Sequence, residues 1–301
     1  MRALTILLAG AAMTWAAPAS ADTVTDWWET AHRYWLASQG APGSLGPDAV
    51  RAPTRATLAM FEAVNAIDPR YQSHLGFPPA DRSANQDAAA ATAAYKVLLK
   101  HYPPNKAALE ESYTLSMAAI AESPAKQAGV QVGEQAAAAA MNVNGIARAV
   151  VQSSYRPRTV PGEWVATGLP SLEPYWPALK PWVIASPDAL PPPPPPPLAG
   201  ERYAQDYEEV RRLGGKESKE RTPYQTLIAR YRQAFDIAPS VRRATDAPGR
   251  SQVANARFLT LYQMANDDAT QAMVVAKQHY DYWRPITAIR NGGKDRNRAT
   301  Q

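Results

Sequence analysis

Apolar residues recur at intervals of three and four through most of the chain, which is the spacing of one helix face and not the alternation of a strand. No internal repeat and no credible strand pair stands out, so the pattern predicts an all-α helical bundle. The predicted helices cover residues 26–39, 53–68, 85–101, from the proline pair at 103–104 to about 120, 124–151, 201–213, 218–235 and 250–283. The longest of them would place Phe258, Tyr262 and a row of alanines on one face.

Small residues and prolines sharpen this picture at particular places. Ser123 precedes Pro124, the arrangement of a capping serine followed by a proline in the first helical turn. Gly129, Gly133 and Ala137 then recur every four residues. In a helix that row predicts close packing against a neighbouring helix.

Residues 155–198 interrupt the helical pattern, because prolines recur throughout and become continuous from Pro191 to Pro197. A proline run is stiff and extended and cannot join a helix. The stretch also carries Trp164, Tyr175, Trp176 and Trp182, whereas disordered linkers are poor in aromatic residues. We therefore expect a long Pro-rich loop that wraps over the helices and packs its rings against them. The alternative is that the run serves as a ligand for a proline-reading domain.

The first 21 residues predict a secretory signal peptide. Arg2 precedes an apolar run from Ala3 to Ala12, and a small-residue segment ends at Ala21. A membrane anchor is the alternative, but the run is shorter than the roughly 20 apolar residues that span a bilayer. Residues 22–301 would then form the N-terminal portion of a helical domain that is periplasmic or secreted. No other stretch is long enough for a membrane span.

Composition excludes several classes of function. The chain contains no cysteine, which removes disulfide frameworks, thiolate zinc sites and cysteine nucleophiles. The net charge is +5, but the basic residues are scattered among acidic ones. A nucleic-acid-binding protein would concentrate them on one surface, so no nucleic-acid partner is expected. A homo-oligomer is left open.

The most informative motif runs from Lys277 to Pro285. On one continuous helix, Lys277 and Arg284 would lie within about 20° of each other around the axis and roughly 10 Å apart along it. Two converging cations suit a tetrahedral oxyanion, because arginine donates two parallel hydrogen bonds and lysine adds a point charge. Phosphate and vanadate have that shape, so the pair predicts an oxyanion-binding site.

Two other interpretations of this motif concern Asp281 and His279. Asp281 lies four residues after Lys277 and three before Arg284, so the three side chains taken alone favour a salt-bridged surface over an oxyanion site. His279 would project about 200° away from Lys277 around a helix, which is unsuited to a shared site. The remaining histidines are isolated, so no catalytic residue and no metal ligand is assigned.

A longer set of residues resembles the bacterial vanadium-dependent haloperoxidase-like proteins of the phosphatidic acid phosphatase superfamily. The resemblance extends over most of the chain after residue 21. The matching positions include Leu58-Ala59-Met60, Ala63 to Asp68, Tyr102-Pro103, Tyr203-Ala204, Glu209-Val210, Leu213-Gly214, Ala256 to Leu261, Asp268-Ala269, Lys277 and Tyr282 to Gly292.

The resemblance implies a site assembled from three segments: K-x6-R-P, P-S-G-H, and an S-R segment with a later histidine. Lys277, Arg284 and Pro285 match the first, and the other two do not occur in these 301 residues. The family implies that Lys277 and Arg284 hold the equatorial oxygens of vanadate or phosphate while the histidines do the chemistry. Asp295 to Thr300 resembles the D-G-N-x-A-T loop that precedes P-S-G-H, with Arg296 in place of the glycine.

Three hypotheses follow from this resemblance. The full-length form would bind vanadate and oxidise halide with hydrogen peroxide, with an oxyanion and a small-molecule substrate as its partners. Alternatively, it would hydrolyse phosphate monoesters through the same two cations. A third hypothesis is an inactive, truncated helical scaffold, because the chain stops before the histidine segments. Val274 stands where many relatives carry an aromatic residue, so the halide or substrate pocket is not predicted.

Overall fold

The computed structural model describes residues 22–38, 50–141, 143, 160–167, 176–233 and 237–300. The signal peptide predicted at 1–21 lies outside these residues. The helices are α1 Thr23–Ser38, α2 Ala52–Ile67, α3 Gln86–His101, α4 Lys106–Ala118, α5 Pro124–Met141, α6 Glu201–Leu213, α7 Pro223–Gln233, α8 Ala238–Thr245, α9 Gln252–Tyr280 and α10 Pro285–Arg290. The described residues contain no strand beyond one isolated bridge, which confirms the all-α prediction.

Helix α2 lies at the centre of the bundle. All of its residues from Ala52 to Ile67 are buried, because α1, α3, α5 and α9 pack around it. Its buried carboxylate, Glu62, is satisfied by the loop that follows the helix. Glu62 accepts hydrogen bonds from the Ser73 hydroxyl at 2.6 Å and from the backbone N–H groups of His74 and Leu75 at 2.8 and 2.9 Å. A buried charge needs such partners to be tolerated.

The glycine row of α5 allows close contact with α3, as the sequence predicted. A Cβ atom built at Gly129 would lie 2.3 Å from the Asn85 carbonyl oxygen, and one at Gly133 would lie 2.5 Å from the Ala89 carbonyl oxygen. Both distances are too short for real contacts. The two helices therefore approach each other with backbone against backbone, which only glycine permits at these positions.

Several predicted boundaries are wrong. Val143 already lies in a turn, whereas helix α5 was predicted to continue to about Val151. Helix α7 begins at Pro223 and not at Ser218, because polar bonds hold the preceding loop. In that loop the Arg221 guanidinium donates to the carbonyl oxygens of Leu213 and Gly215 at 2.6 and 2.7 Å. The short helices α8 and α10 were not predicted, since eight and six residues give too little periodicity.

The long Pro-rich loop wraps over the helices in its described parts, residues 160–167 and 176–198. Trp176 and Trp182 are buried, with 3% and 9% of their surface exposed. Trp164 is half-buried, and Tyr175 lies outside the described residues. The prediction of a wrapping loop, and not a free linker, is confirmed. No helix among the described residues is both long and apolar enough to cross a membrane.

A candidate oxyanion site at the end of the longest helix

Helix α9 ends at Tyr280, inside the Lys277–Pro285 motif, so the expected continuous helix through Arg284 is wrong. Asp281 caps the helix in the left-handed conformation, with φ 45°. The backbone of Arg284 is extended, with φ −75° and ψ 153°, and Arg284 is the N-cap residue of helix α10. The residue before a proline is biased away from the helical region, which keeps Arg284 out of a helix. Lys277 and Arg284 therefore stand on the two sides of a turn.

Residues 160–167 lie alongside this turn and hold it in place. The Trp164 N–H donates to the Asp281 carbonyl oxygen at 2.7 Å, and the Trp283 N–H donates to the Gly162 carbonyl oxygen at 2.9 Å. These two bonds flank the isolated antiparallel bridge between Glu163 and Tyr282. Residues 160–167 of the Pro-rich loop thus lie beside the turn that carries Arg284.

The proline run, residues 191–198, contacts the tyrosines of the motif, and we call it the proline strap. The Tyr280 hydroxyl donates to the Pro192 carbonyl oxygen at 2.6 Å, and the Tyr282 hydroxyl donates to the Pro196 carbonyl oxygen at 3.2 Å. Proline carbonyls remain available as acceptors although proline lacks an N–H donor. The two tyrosines of the motif therefore point toward the strap.

The tryptophan of the motif is anchored on helix α6. Trp283 is 5% exposed and belongs to a small buried cluster with Tyr203, Tyr207 and Ala288. Its ring stacks on that of Tyr203 with 6.4 Å between ring centroids. Burying a large aromatic side chain fixes the turn to the body of the protein. The neighbouring Arg284 side chain is left exposed.

The two predicted anion ligands are exposed and carry no acidic partner in the described part of the chain. The Arg284 Nη1 atom donates to the Thr167 hydroxyl at 2.8 Å. The Lys277 ammonium makes no hydrogen bond or ion pair with a described residue. The alternative salt-bridged surface of Lys277, Asp281 and Arg284 is therefore not formed among these residues. Both cations are available to an anion, although helix periodicity does not bring them together.

The loop at residues 295–300 lies near Tyr203 and Tyr282 and is internally bonded. The buried Asp295 carboxylate accepts from the Asn297 N–H at 2.8 Å and from the Thr300 hydroxyl at 2.7 Å. The Asn297 side-chain amide donates to the Leu198 carbonyl oxygen at 2.8 Å, which ties this loop to the proline strap. Arg296 adopts φ 62°, the region that glycine enters without strain.

Burial next to this loop affects a tyrosine. Tyr203 is almost fully buried, and its desolvation, reinforced by the nearby Asp295 carboxylate, raises the pKa of the phenol. Tyr203 is therefore a neutral phenol at physiological pH and not a candidate base.

A buried polar network anchors the middle of the Pro-rich loop to α9, and the sequence analysis missed it. Asp268 accepts from the backbone N–H groups of Trp182, Val183 and Ile184 at 2.7, 2.7 and 3.1 Å. Asp267 accepts from the Trp182 indole N–H at 2.7 Å. Gln271 donates to the Trp176 carbonyl oxygen at 2.9 Å. The buried face of α9 is therefore partly polar, and the face predicted through Phe258 and Tyr262 is only half-buried or exposed.

Arg51 completes this network from the start of α2. Its Nη1 atom donates to the Lys180 carbonyl oxygen at 2.8 Å, and its Nε atom lies 3.4 Å from the Asp267 carboxylate. Its guanidinium also stands 5.5 Å from the centroid of the Trp182 ring. Despite this neighbouring cation, burial raises the pKa of Asp267 to about 6. The loop is thus held by buried charges, which makes its anchoring sensitive to substitution.

The histidines do not gather at the site. His279 is exposed on α9, and its ring lies 4.9 Å from that of Tyr280. His32 is buried between Trp28 and Trp35 in the stacked rings of α1. The described residues contain no cluster of histidine, aspartate and glutamate that could hold a metal ion. The structure therefore offers cations for an oxyanion, with no metal ligand beside them among the described residues.

Known proteins are similar to this chain both in the segment around Lys277 and Arg284 and in fold. Residues 257–299 match the family model described as the VCPO second helical-bundle domain. The fold is similar to the crystal structure of the first bacterial vanadium-dependent iodoperoxidase, with a TM-score of 0.67 and 18% sequence identity. That similarity covers 90% of this chain and 72% of the other. Residues 257–299 are therefore similar to the second helical-bundle domain of that family, and the chain as a whole is similar to the iodoperoxidase in fold.

The matched segment contains both predicted anion ligands, whereas residues 160–167 and the proline strap lie outside it. It runs from the first turns of α9 through Lys277 and Arg284 to the Asp295 loop. The structural similarity extends to most of the bundle but, at 18% identity, establishes the fold alone. No curated protein matches the sequence.

Proposed function

We propose that this chain supplies the oxyanion-binding part of a vanadium-dependent haloperoxidase-like protein. Lys277 and Arg284 would bind the equatorial oxygens of vanadate from the two sides of the turn that ends α9. The observation that carries the proposal is the exposure of both cations, without an acidic partner among the described residues, inside the segment that matches the family model. Two exposed cations that have no acidic partner among the described residues can bind an anion.

The residues fit the oxygens of vanadate better than they fit its metal. A guanidinium can donate two parallel hydrogen bonds to one oxyanion, and an ammonium adds a point charge. When bound, vanadate would supply Lewis-acid activation of peroxide. The histidine ligand implied by the family has no candidate beside the cations in the described chain, since His279 faces Tyr280. Lys277 and Arg284 would bind and orient the anion.

Phosphate-ester hydrolysis is the second candidate, because phosphate and vanadate share shape and charge and the same two cations would hold either. An assay of a form that carries both histidine segments separates them: vanadate-dependent halide oxidation supports the first, and vanadate-inhibited phosphatase turnover supports the second. We expect no turnover from these 301 residues alone, because neither histidine segment occurs in them. Turnover by the purified chain would contradict this expectation.

A titration with orthovanadate tests the binding proposal on the chain itself. Replacing Lys277 or Arg284 by alanine removes a charge-assisted hydrogen bond, a change of roughly 1.5–3 kcal/mol, so affinity should fall at least about tenfold. Lys100→Ala and Arg230→Ala remove exposed cations elsewhere on the surface and serve as matched controls. Equal affinity in all four variants would refute the site.

We also propose that the protein is exported, and this proposal rests only on the signal peptide predicted at residues 1–21. Cell fractionation should place the protein in the periplasm or the medium, and N-terminal sequencing should begin at Asp22. Recovery of the intact leader in the cytoplasm would contradict this.

A further inference from the structure

We infer that the Thr167 hydroxyl is a third contact for the oxyanion and at the same time holds the Arg284 guanidinium in place. This inference rests on the proposed function, because it assigns a further ligand to the same anion. Thr167 belongs to the Pro-rich loop, more than a hundred positions before the Lys277–Pro285 motif, and nothing in its local sequence indicates a role.

The backbone pairing at the end of α9 explains why Thr167 reaches this place. The bonds from the Trp164 N–H to Asp281 and from the Trp283 N–H to Gly162 fix residues 160–167 antiparallel to the turn. The position of Gly162 adds a constraint. It adopts φ 90°, and a Cβ there would meet the Leu198 side chain at 3.1 Å. Residues 160–167, which include Thr167, thus contact both the turn after α9 and the proline strap.

The hydrogen bonds of the described residues leave the Thr167 hydroxyl hydrogen without an acceptor among them. A threonine hydroxyl has one donor hydrogen and two acceptor lone pairs. The Arg284 Nη1 atom uses one lone pair at 2.8 Å, and arginine has no acceptor to offer in return. No described residue accepts a hydrogen bond from Thr167, and the side chain is exposed. Its hydrogen can therefore point to an anion that sits against the same guanidinium.

The same bond restrains Arg284. A free arginine side chain loses considerable rotamer entropy when it binds, and a partner that already holds one edge of the fork reduces that loss. The Thr167 bond takes one Nη1 hydrogen and leaves the other guanidinium donors for the anion. Thr167 would therefore improve anion affinity both by its own hydrogen bond and by orienting the arginine.

The test compares Thr167→Val, which keeps the side-chain shape and removes the hydroxyl, with Thr167→Ser, which keeps the hydroxyl. Orthovanadate and inorganic phosphate are titrated into the full 301-residue chain. One uncharged hydroxyl contact of about 1 kcal/mol predicts an affinity loss of about fivefold for T167V and less than about twofold for T167S. Thr270→Val is the control, because the Thr270 hydroxyl bonds only to the Asn266 carbonyl within α9.

A coupling measurement separates binding from a general structural role. The T167V loss should shrink when Arg284 is already alanine, because the contact between the two side chains is then absent. Full additivity with R284A would overturn the orienting role of Thr167, and T167S binding as weakly as T167V would overturn the hydroxyl contact. If Lys277→Ala and Arg284→Ala bind normally, the proposed function itself fails. If those two lose affinity while T167V does not, only this inference fails.

Discussion

Replacing Asp268 by alanine should release the middle of the Pro-rich loop. The carboxylate accepts three backbone N–H bonds, from Trp182, Val183 and Ile184. Hydrogen bonds to a charged group contribute roughly 1.5–3 kcal/mol each. The Trp182 N–H is buried and loses its partner outright, whereas water can replace the carboxylate at the two partly exposed donors. We therefore expect a total loss near 3 kcal/mol, and about half of that for Asp268→Asn, which keeps one acceptor oxygen.

Two assays measure this change at different places. Urea unfolding followed by circular dichroism reports the global free energy, and chymotrypsin cleavage after Trp182 under native conditions reports opening of the loop. A loss of 3 kcal/mol corresponds to about a hundredfold faster cleavage if opening precedes cutting. Asp206→Ala is the control, since Asp206 makes only an exposed i,i+4 ion pair with Arg202 and should change stability by less than about 1 kcal/mol. Unchanged unfolding and cleavage in D268A would refute the anchoring role.

Three further predictions concern packing, pH and backbone strain. Gly133→Ala should destabilise the protein by about 2 kcal/mol in urea unfolding, because the added Cβ meets the Ala89 carbonyl oxygen, whereas the exposed Gln135→Ala should stay within about 0.5 kcal/mol. The raised pKa of Asp267, about 6 against about 3.9 in an unfolded chain, means that the native state binds the extra proton between those values and loses stability as pH rises through that window. Asp267→Asn should remove this pH-dependent loss of about 2–3 kcal/mol in the free energy of unfolding. An identical pH profile in both proteins would refute the burial argument. Arg296→Gly should stabilise the Asp295 loop by about 0.5–1 kcal/mol because it relieves a positive φ, whereas Arg298→Gly, in a right-handed 3-10 turn, should destabilise it; equal changes in melting temperature would contradict this.

Local chemical signals predicted the helices well where those signals are strong. Ser123 accepts from the Lys126 N–H at 3.2 Å, as predicted for a capping serine, and α6 spans Glu201–Leu213 as predicted. The glycine row of α5 likewise predicted a close contact that the structure confirms. These features depend on residues near in sequence, so the sequence alone carries them.

The buried polar face of α9 could not be predicted in the same way. Asp267, Asp268 and Gln271 look like a solvated face when only their own helix is considered. They are buried because a loop 85 to 95 residues earlier brings its backbone groups and the Trp182 indole N–H to them. Periodicity does not say which partner satisfies such polar side chains.

For the candidate site, the residue identities were predicted from the sequence and their geometry was not. The identity of Lys277 and Arg284 followed from the motif, but their geometry did not, because helix α9 ends at Tyr280, three residues before the predicted end, and Arg284 is extended before Pro285. Thr167 was not predicted, since its contact with Arg284 depends on a single non-local backbone pairing. Arg296 is an intermediate case: its replacement of a family glycine was visible in the sequence, and its positive φ required the structure.

A crystal structure of the chain with tungstate or vanadate tests the central claim most directly. The account predicts one tetrahedral anion at the turn after α9, within hydrogen-bond distance of the Lys277 ammonium and the Arg284 guanidinium. An anion bound elsewhere, or both side chains directed apart into solvent with no anion between them, would contradict it.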